Sequence, residues 1–149
     1  MEYRKIAESA GLKVYAVIMS QGDEAVAELI RFAQAEGLGG AQISGIGAAS
    51  GAELAWLDFE ARQYRPFSVE GQVEVVSLLG DFTFAQDGTP HLHAHVTLGK
   101  RDGSLCGGHL LRLDVRPTLE LIVTETPAQL RRRADPGMPV ATIRLSESS

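Results

Sequence analysis

Only one stretch of this chain carries a helical hydrophobic period, and that limits the folds open to it. Val26, Leu29, Ile30 and Ala33 stand at i, i+3, i+4 and i+7, the stripe of an amphipathic helix. Ser20-Gln21-Gly22-Asp23 has the spacing of a capping box, with Asp in the place of the usual Glu or Gln. Gly37 follows the stripe as a C-terminal stop. The pattern predicts one helix over residues 23–36. The remaining apolar order is strand-like, over 12–19, 41–46, 52–59, 69–79, 92–98, 105–115 and 119–124, with a short last candidate over 140–145. Asp102-Gly103 lies between two of these runs and signals a hairpin. One helix among short-turned strands predicts an α+β fold with a curled, mostly antiparallel sheet.

The chain reads as a single domain over residues 1–149, with its core at about 12–126 and a tail over 127–149 that Pro127, Pro136 and Pro139 punctuate. A hydrophobic share of 44% against 22% charged residues suits a globular core. No apolar run approaches the ~20 residues of a membrane helix, and no apolar h-region follows the charged start. The expectation is a soluble, cytoplasmic protein. The one cysteine, Cys106, allows no internal disulfide and fits a reducing compartment. A net charge of −5 argues against a domain that grips DNA unaided.

Histidine carries the strongest chemical signal. All four histidines fall between positions 91 and 109. His91, His93 and His95 are spaced by two, so in a strand they share a face. His109 follows the predicted turn. A strict two-residue loop pairs it with Val96 and turns it away. A three-residue loop, or a bulge at Gly107-Gly108, pairs it with Thr97 and brings it to the histidine face. Three imidazoles would leave a zinc, or another divalent transition metal, an open coordination position. The plainer reading is a hydrogen-bonded polar patch or a subunit contact. The first ligand set is His93, His95 and His109, with His91 as the alternate.

Glu74 stands among apolar neighbours and is the candidate carboxylate, as a partner to an imidazole or as a general base. Its other reading is an outward-facing residue of an amphipathic strand, and Glu120 has the same two readings. The glycines of 45–51 lack both the spacing and the following helix of a phosphate loop. Cys106 and His109 are three apart, which in a strand puts them on opposite faces, so Cys106 reads as core. Arg131-Arg132-Arg133 reads as a solvated helix end or a phosphate contact. Trp56 and Phe59 read as core.

Gly45-Ile46-Gly47-Ala48, the run from Glu74 to Asp81, Pro90-His91-Leu92-His93-Ala94-His95, Gly107-Gly108-His109-Leu110 and Thr118-Leu119-Glu120 together resemble the plants and prokaryotes conserved (PPC) domain, in order, over about 14–124. The resemblance implies a homotrimer of curled-sheet subunits and a DNA-binding or transcription-regulatory role, with DNA or regulatory proteins as partners. The chain contains no Arg-Gly-Arg core of an AT-hook, and Gln72 stands where plant members carry an arginine. The same fold is similar to that of acetolactate decarboxylase, a zinc enzyme whose His-x-His strand and later Gly-Gly-His carry over to His93, His95 and His109. That similarity implies a zinc-dependent lyase-like enzyme or a small-molecule sensor as the alternative.

Overall fold

The computed structural model describes residues 1–145. Its elements are β1 (Glu2–Ser9), β2 (Leu12–Ser20), α1 (Ala25–Glu36), β3 (Gly40–Asp58), β4 (Gln63–Phe84), β5 (Pro90–Gly99), β6 (Leu105–Glu125), β7 (Arg132–Arg133) and β8 (Thr142–Ile143). The main sheet has the order β1-β2-β6-β3-β4-β5, and β5 also pairs with the start of β6. That last pairing closes β6, β3, β4 and β5 into a ring, while β2 and β1 extend the sheet beyond it. Every pairing in the main sheet is antiparallel. This is the α+β architecture with a curled antiparallel sheet that the sequence predicts. Among the described residues, no helix is long and apolar enough to cross a membrane.

Alternation builds the core. Tyr15, Val17 and Met19 of β2, Leu78 and Phe82 of β4, Leu98 of β5, and Leu113 and Leu119 of β6 are fully buried. Leu29 and Phe32 of α1 pack into the same cluster. Residues on one side of each strand therefore face the helix, and the intervening residues form the outer face.

Several boundaries differ from the sequence reading, each for a physical reason. The helix starts at Ala25 because the Glu24 carboxylate caps it, accepting the amides of Val26 and Ala27 at 2.9 Å each. Asp23 does accept the Ser20 amide at 2.9 Å, but in the turn before the helix. The predicted C-terminal stop holds: Gly37 sits at φ 66, in the left-handed region that glycine tolerates. Strands predicted over 41–46 and 52–59 are one strand, since register shifts at Gly45/Gly47 and Ala49/Gly51 bend it without ending it. The runs over 105–115 and 119–124 likewise merge into β6. Strand β1 had no signal because all eight of its residues are exposed. It is held at the sheet edge by β2 and by Tyr3, whose ring meets Phe32 at 4.6 Å.

Trp56 and Phe59 are not core: they are 62% and 69% exposed. They lie at the outer end of the β3–β4 hairpin, where residues 63–68 of the partner strand are exposed throughout. The short strand predicted over 140–145 narrows to Thr142–Ile143, paired with Arg132–Arg133. The end of the 127–149 tail, 146–149, lies outside the described residues.

Candidate metal centre

The turn between β5 and β6 decides where His109 points. Its loop spans 100–104, longer than either loop considered from the sequence. Lys100 donates its amide to the Ser104 carbonyl, Gly103 to that of Lys100, and the Asp102 carboxylate holds the Ser104 amide and hydroxyl. Pairing then runs without a bulge from Gly99↔Leu105 to His95↔His109. His109 is opposite His95, rather than Val96 or Thr97. Directly opposed residues of an antiparallel pair share a face, so His109 reaches the histidine face after all.

The two glycines before it serve close approach instead of a bulge. A Cβ on Gly107 would lie 2.5 Å from the Val96 carbonyl oxygen, and one on Gly108 would lie 2.8 Å from that of Ala55. Both contacts are to backbone and cannot rotate away. Replacing Gly107 with valine is therefore expected to push β5 off β6 beside His95, lower stability by about 1–3 kcal/mol and weaken any metal uptake. Thermal melts and a zinc titration of the variant check both effects.

His93, His95 and His109 form the cluster. One ring nitrogen from each lies within 4.8 Å of the others, and the ring centroids are 5.2 to 5.5 Å apart. His91 stays outside this group, exposed at the start of β5 opposite Thr83. Glu74 is also exposed and is aligned with Gly99. That is four residues, about 13 Å, along β5 from His95. The carboxylate at the cluster is Asp81, paired across β4–β5 with His93. Its Oδ2 lies 3.5 Å from His93 Nδ1.

Two further residues close around the cluster. Arg132 donates from Nη2 to both Asp81 oxygens at 3.0 Å, and the same nitrogen lies 2.9 Å from His93 Nδ1. The Tyr64 ring stacks on His109 at 4.6 Å and 25°. Asp81 and Tyr64 did not stand out as site residues in the sequence, and Arg132 did so only within a basic run with a phosphate contact as one of its readings. Arg132 belongs to a short strand, not to a solvated helix end, and its side chain is 12% exposed.

The electrostatics favour the neutral form of His95 and His109. Burial, followed by His93 and His95, pushes His109 down to about 4. Partial desolvation of the ring and then His93 lower His95, and partial desolvation and Arg132 lower His91. For Asp81, burial pushes upward, but the neighbouring His93 ring and the hydrogen-bonding Arg132 guanidinium outweigh it and hold the carboxyl below its usual range. Neutral imidazoles bind a metal without first losing a proton. Among the described residues, the buried Nδ1 of His109 has no hydrogen-bond partner, a state that costs free energy unless something binds there. The donor set thus fits a divalent transition metal. A tetrahedral ion with bonds of ~2.1 Å needs its nitrogens about 3.4 Å apart, a small rotation of the rings from here.

The same shifts set a pH dependence for the metal-free fold. His109 has a folded value below its unfolded one. The unfolded chain therefore takes up its proton first as pH falls, and stability is lost from about 6.5 down towards 4. The urea midpoint of stripped protein is expected to drop between pH 7 and pH 5, and to drop less in His109→Gln.

The centre shares its face with an apolar groove. One lateral row runs Ala16, Ile122, Ser44, Leu79, His95, His109 across five strand pairings. Ile46, Leu79 and Ile122 line a groove of about 450 Å³ and are 63%, 55% and 44% exposed.

The sequence model of the Plants and Prokaryotes Conserved (PCC) domain matches residues 6–127. A solved protein of Ralstonia eutropha JMP134, called a "putative DNA-binding protein", is 31% identical, with a TM-score of 0.81 over 88% of this chain and 90% of that one. A plant- and prokaryote-conserved protein of Pyrococcus horikoshii is 28% identical, with a TM-score of 0.79 over 87% and 90%. A metal-containing protein of Archaeoglobus fulgidus is 26% identical, with a TM-score of 0.82 over 97% and 99%. No curated protein matches the chain.

Proposed function

The chain belongs to the Plants and Prokaryotes Conserved (PCC) domain family, and from that premise we propose that it is a metal-binding, homotrimeric regulatory module. The observation that carries this reading is the group of His93, His95 and His109, with one ring nitrogen of each within 4.8 Å of the others. Those three hold the metal, with zinc as the first choice and another divalent transition metal as the alternative. Asp81 orients His93 from behind, as carboxylates do for ligating histidines. The A. fulgidus relative, called metal-containing, supports the reading. Self-association is supported by the exposed apolar groove on the sheet. Half-buried Cys106 suits a reducing, cytoplasmic setting.

DNA or a partner protein is what such a module would regulate. The name of the R. eutropha relative supports DNA; the net charge of −5 weighs against it. Zinc titration of stripped protein, followed by calorimetry, is expected to end at about one ion per chain. A mobility shift on duplex DNA at low salt, with and without zinc, then separates the partners. Binding that weakens steeply with salt supports DNA. No binding at low salt removes DNA and leaves a protein partner.

A second reading, a zinc-dependent lyase-like enzyme or a small-molecule sensor, is favoured by one feature. The group offers three protein ligands, which leaves an open position, and Leu79 links that position to the groove. Glu74, far along the strand, takes part only if a ligand spans the groove. Cobalt-loaded protein whose visible spectrum shifts on adding small carbonyl compounds would support this reading. An unchanged spectrum would exclude it.

A further inference from the structure

We propose that the C-terminal strap carrying Arg132 gates the metal centre, because Arg132 and a metal cannot occupy His93 together. The inference rests on the metal reading above and concerns how the site is filled. The strap is well seated. Leu130 donates its amide to the Gly39 carbonyl at 2.7 Å and accepts that of Phe84 at 2.8 Å. Arg144 donates its amide to the Arg131 carbonyl at 3.1 Å. Gly40 permits this course, since a Cβ there would fall 2.1 Å from the Ala128 carbonyl oxygen. The strap thereby delivers the Arg132 guanidinium to Asp81 and His93, a sequence separation of 39 residues from the histidine.

A guanidinium nitrogen only donates. At 2.9 Å from Arg132 Nη2, His93 Nδ1 must therefore present its lone pair. A histidine that binds a metal through one ring nitrogen normally carries a hydrogen on the other. If the metal takes the far nitrogen, Nδ1 bears a hydrogen and meets Arg132 donor to donor. If it takes Nδ1, the metal stands where Nη2 now stands. Either choice displaces Arg132 from His93.

Asp81 is the group that gains. Its Oδ2, 3.5 Å from Nδ1, can accept the hydrogen that Arg132 cannot tolerate. Arg132 is also poorly arranged where it sits. Its Nη2, with two hydrogens, faces three acceptors, while its buried Nε has no partner among the described residues. Withdrawing from His93 leaves its contact with Asp81 open to re-forming through other hydrogens. Because Arg132 is tethered to the strap by the β7–β8 pairing and by its Nη1 bond to the Ala141 carbonyl at 3.2 Å, its movement loosens that segment.

The test measures zinc affinity against a competing chelator in the intact chain, for wild type, Arg132→Met and Asp81→Asn, with amide hydrogen exchange of wild type before and after zinc. Arg132→Met is expected to bind zinc about tenfold more tightly and Asp81→Asn about tenfold more weakly. Zinc is expected to speed exchange in 130–133 and 141–144. A residue with only a structural role would not give opposite signs in the two variants. Zinc binding in wild type that is unchanged or weaker in Arg132→Met overturns the gate and leaves the metal site standing. No zinc uptake in any of the three proteins overturns the metal reading and the gate with it. Should Arg132→Met fail to fold, unchanged exchange of the strap in zinc-loaded wild type overturns the proposal.

Discussion

Replacing His93 and His109 together with alanine is expected to abolish metal binding. Elemental analysis of untagged wild-type protein should find about one zinc or similar ion per chain, and the double variant none. The pair is chosen because the two residues come from different strands, β5 and β6, so no two-ligand remnant on one strand survives their loss. Of the three clustered ligands only His95 remains, since His91 lies outside the group, and one imidazole does not hold a transition metal against the competing ligands of a cell. The folded state should survive, since both side chains sit on the outer face, away from the core that Ala94, Val96 and Leu98 build on the other side of β5. Removing the His109 ring gives up its stacking on Tyr64 but also removes a buried Nδ1 that has no hydrogen-bond partner among the described residues. The metal-free variant should therefore melt no lower than metal-free wild type. A full complement of metal in the double variant would place the ion elsewhere. No metal in either protein, after growth in zinc-supplemented medium and titration, would leave the histidines as a polar patch at a contact.

What was legible in the sequence was local. Val26, Leu29, Ile30 and Ala33 repeat with the period of the helix they form, so α1 needed no tertiary information. Its start was misplaced because the cap is a glutamate: Glu24 reaches two helix amides and also accepts the Leu113 amide at 3.1 Å, a bond from a distant strand. The spacing of His91, His93 and His95 fixed their common face at once. The face of His109 depended on loop length, and a shift of one residue would have turned it away. Asp81 gave no local sign, and Arg132 gave only that of a basic run, with nothing to tie it to the histidines. They meet only when β4 pairs with β5 and the tail folds back across 51 residues. Trp56 and Phe59 misled because residue type reports affinity for an apolar setting, not whether the chain supplies one. At the exposed end of the β3–β4 hairpin it does not.

That same unspent apolar surface leads to the second prediction: Ile46→Glu with Ile122→Glu is expected to convert a trimer into monomers. Both residues line the groove and stand 63% and 44% exposed, which for large aliphatic side chains on a flat sheet face is a cost in water unless another surface covers them. In a homotrimer each subunit presents the groove to a different patch on its neighbour, and rotation closes the ring. Two carboxylates placed in that groove would be buried without partners in every one of the contacts, a penalty of several kcal/mol per interface. Light scattering should therefore report a mass near three chains for wild type and near one, 16.0 kDa, for the variant. The folded chain should be unaffected, because neither side chain belongs to the buried cluster. Leu79 is left untouched, since it is paired with His95, so zinc stoichiometry should stay at that of wild type. A variant that keeps the wild-type mass would exclude the groove as the contact, and a monomeric wild type would exclude the trimer itself. A variant that loses zinc together with its trimeric state would show instead that the metal centre is complete only in the assembly, as the row from Ile122 through Ser44 and Leu79 to His95 allows.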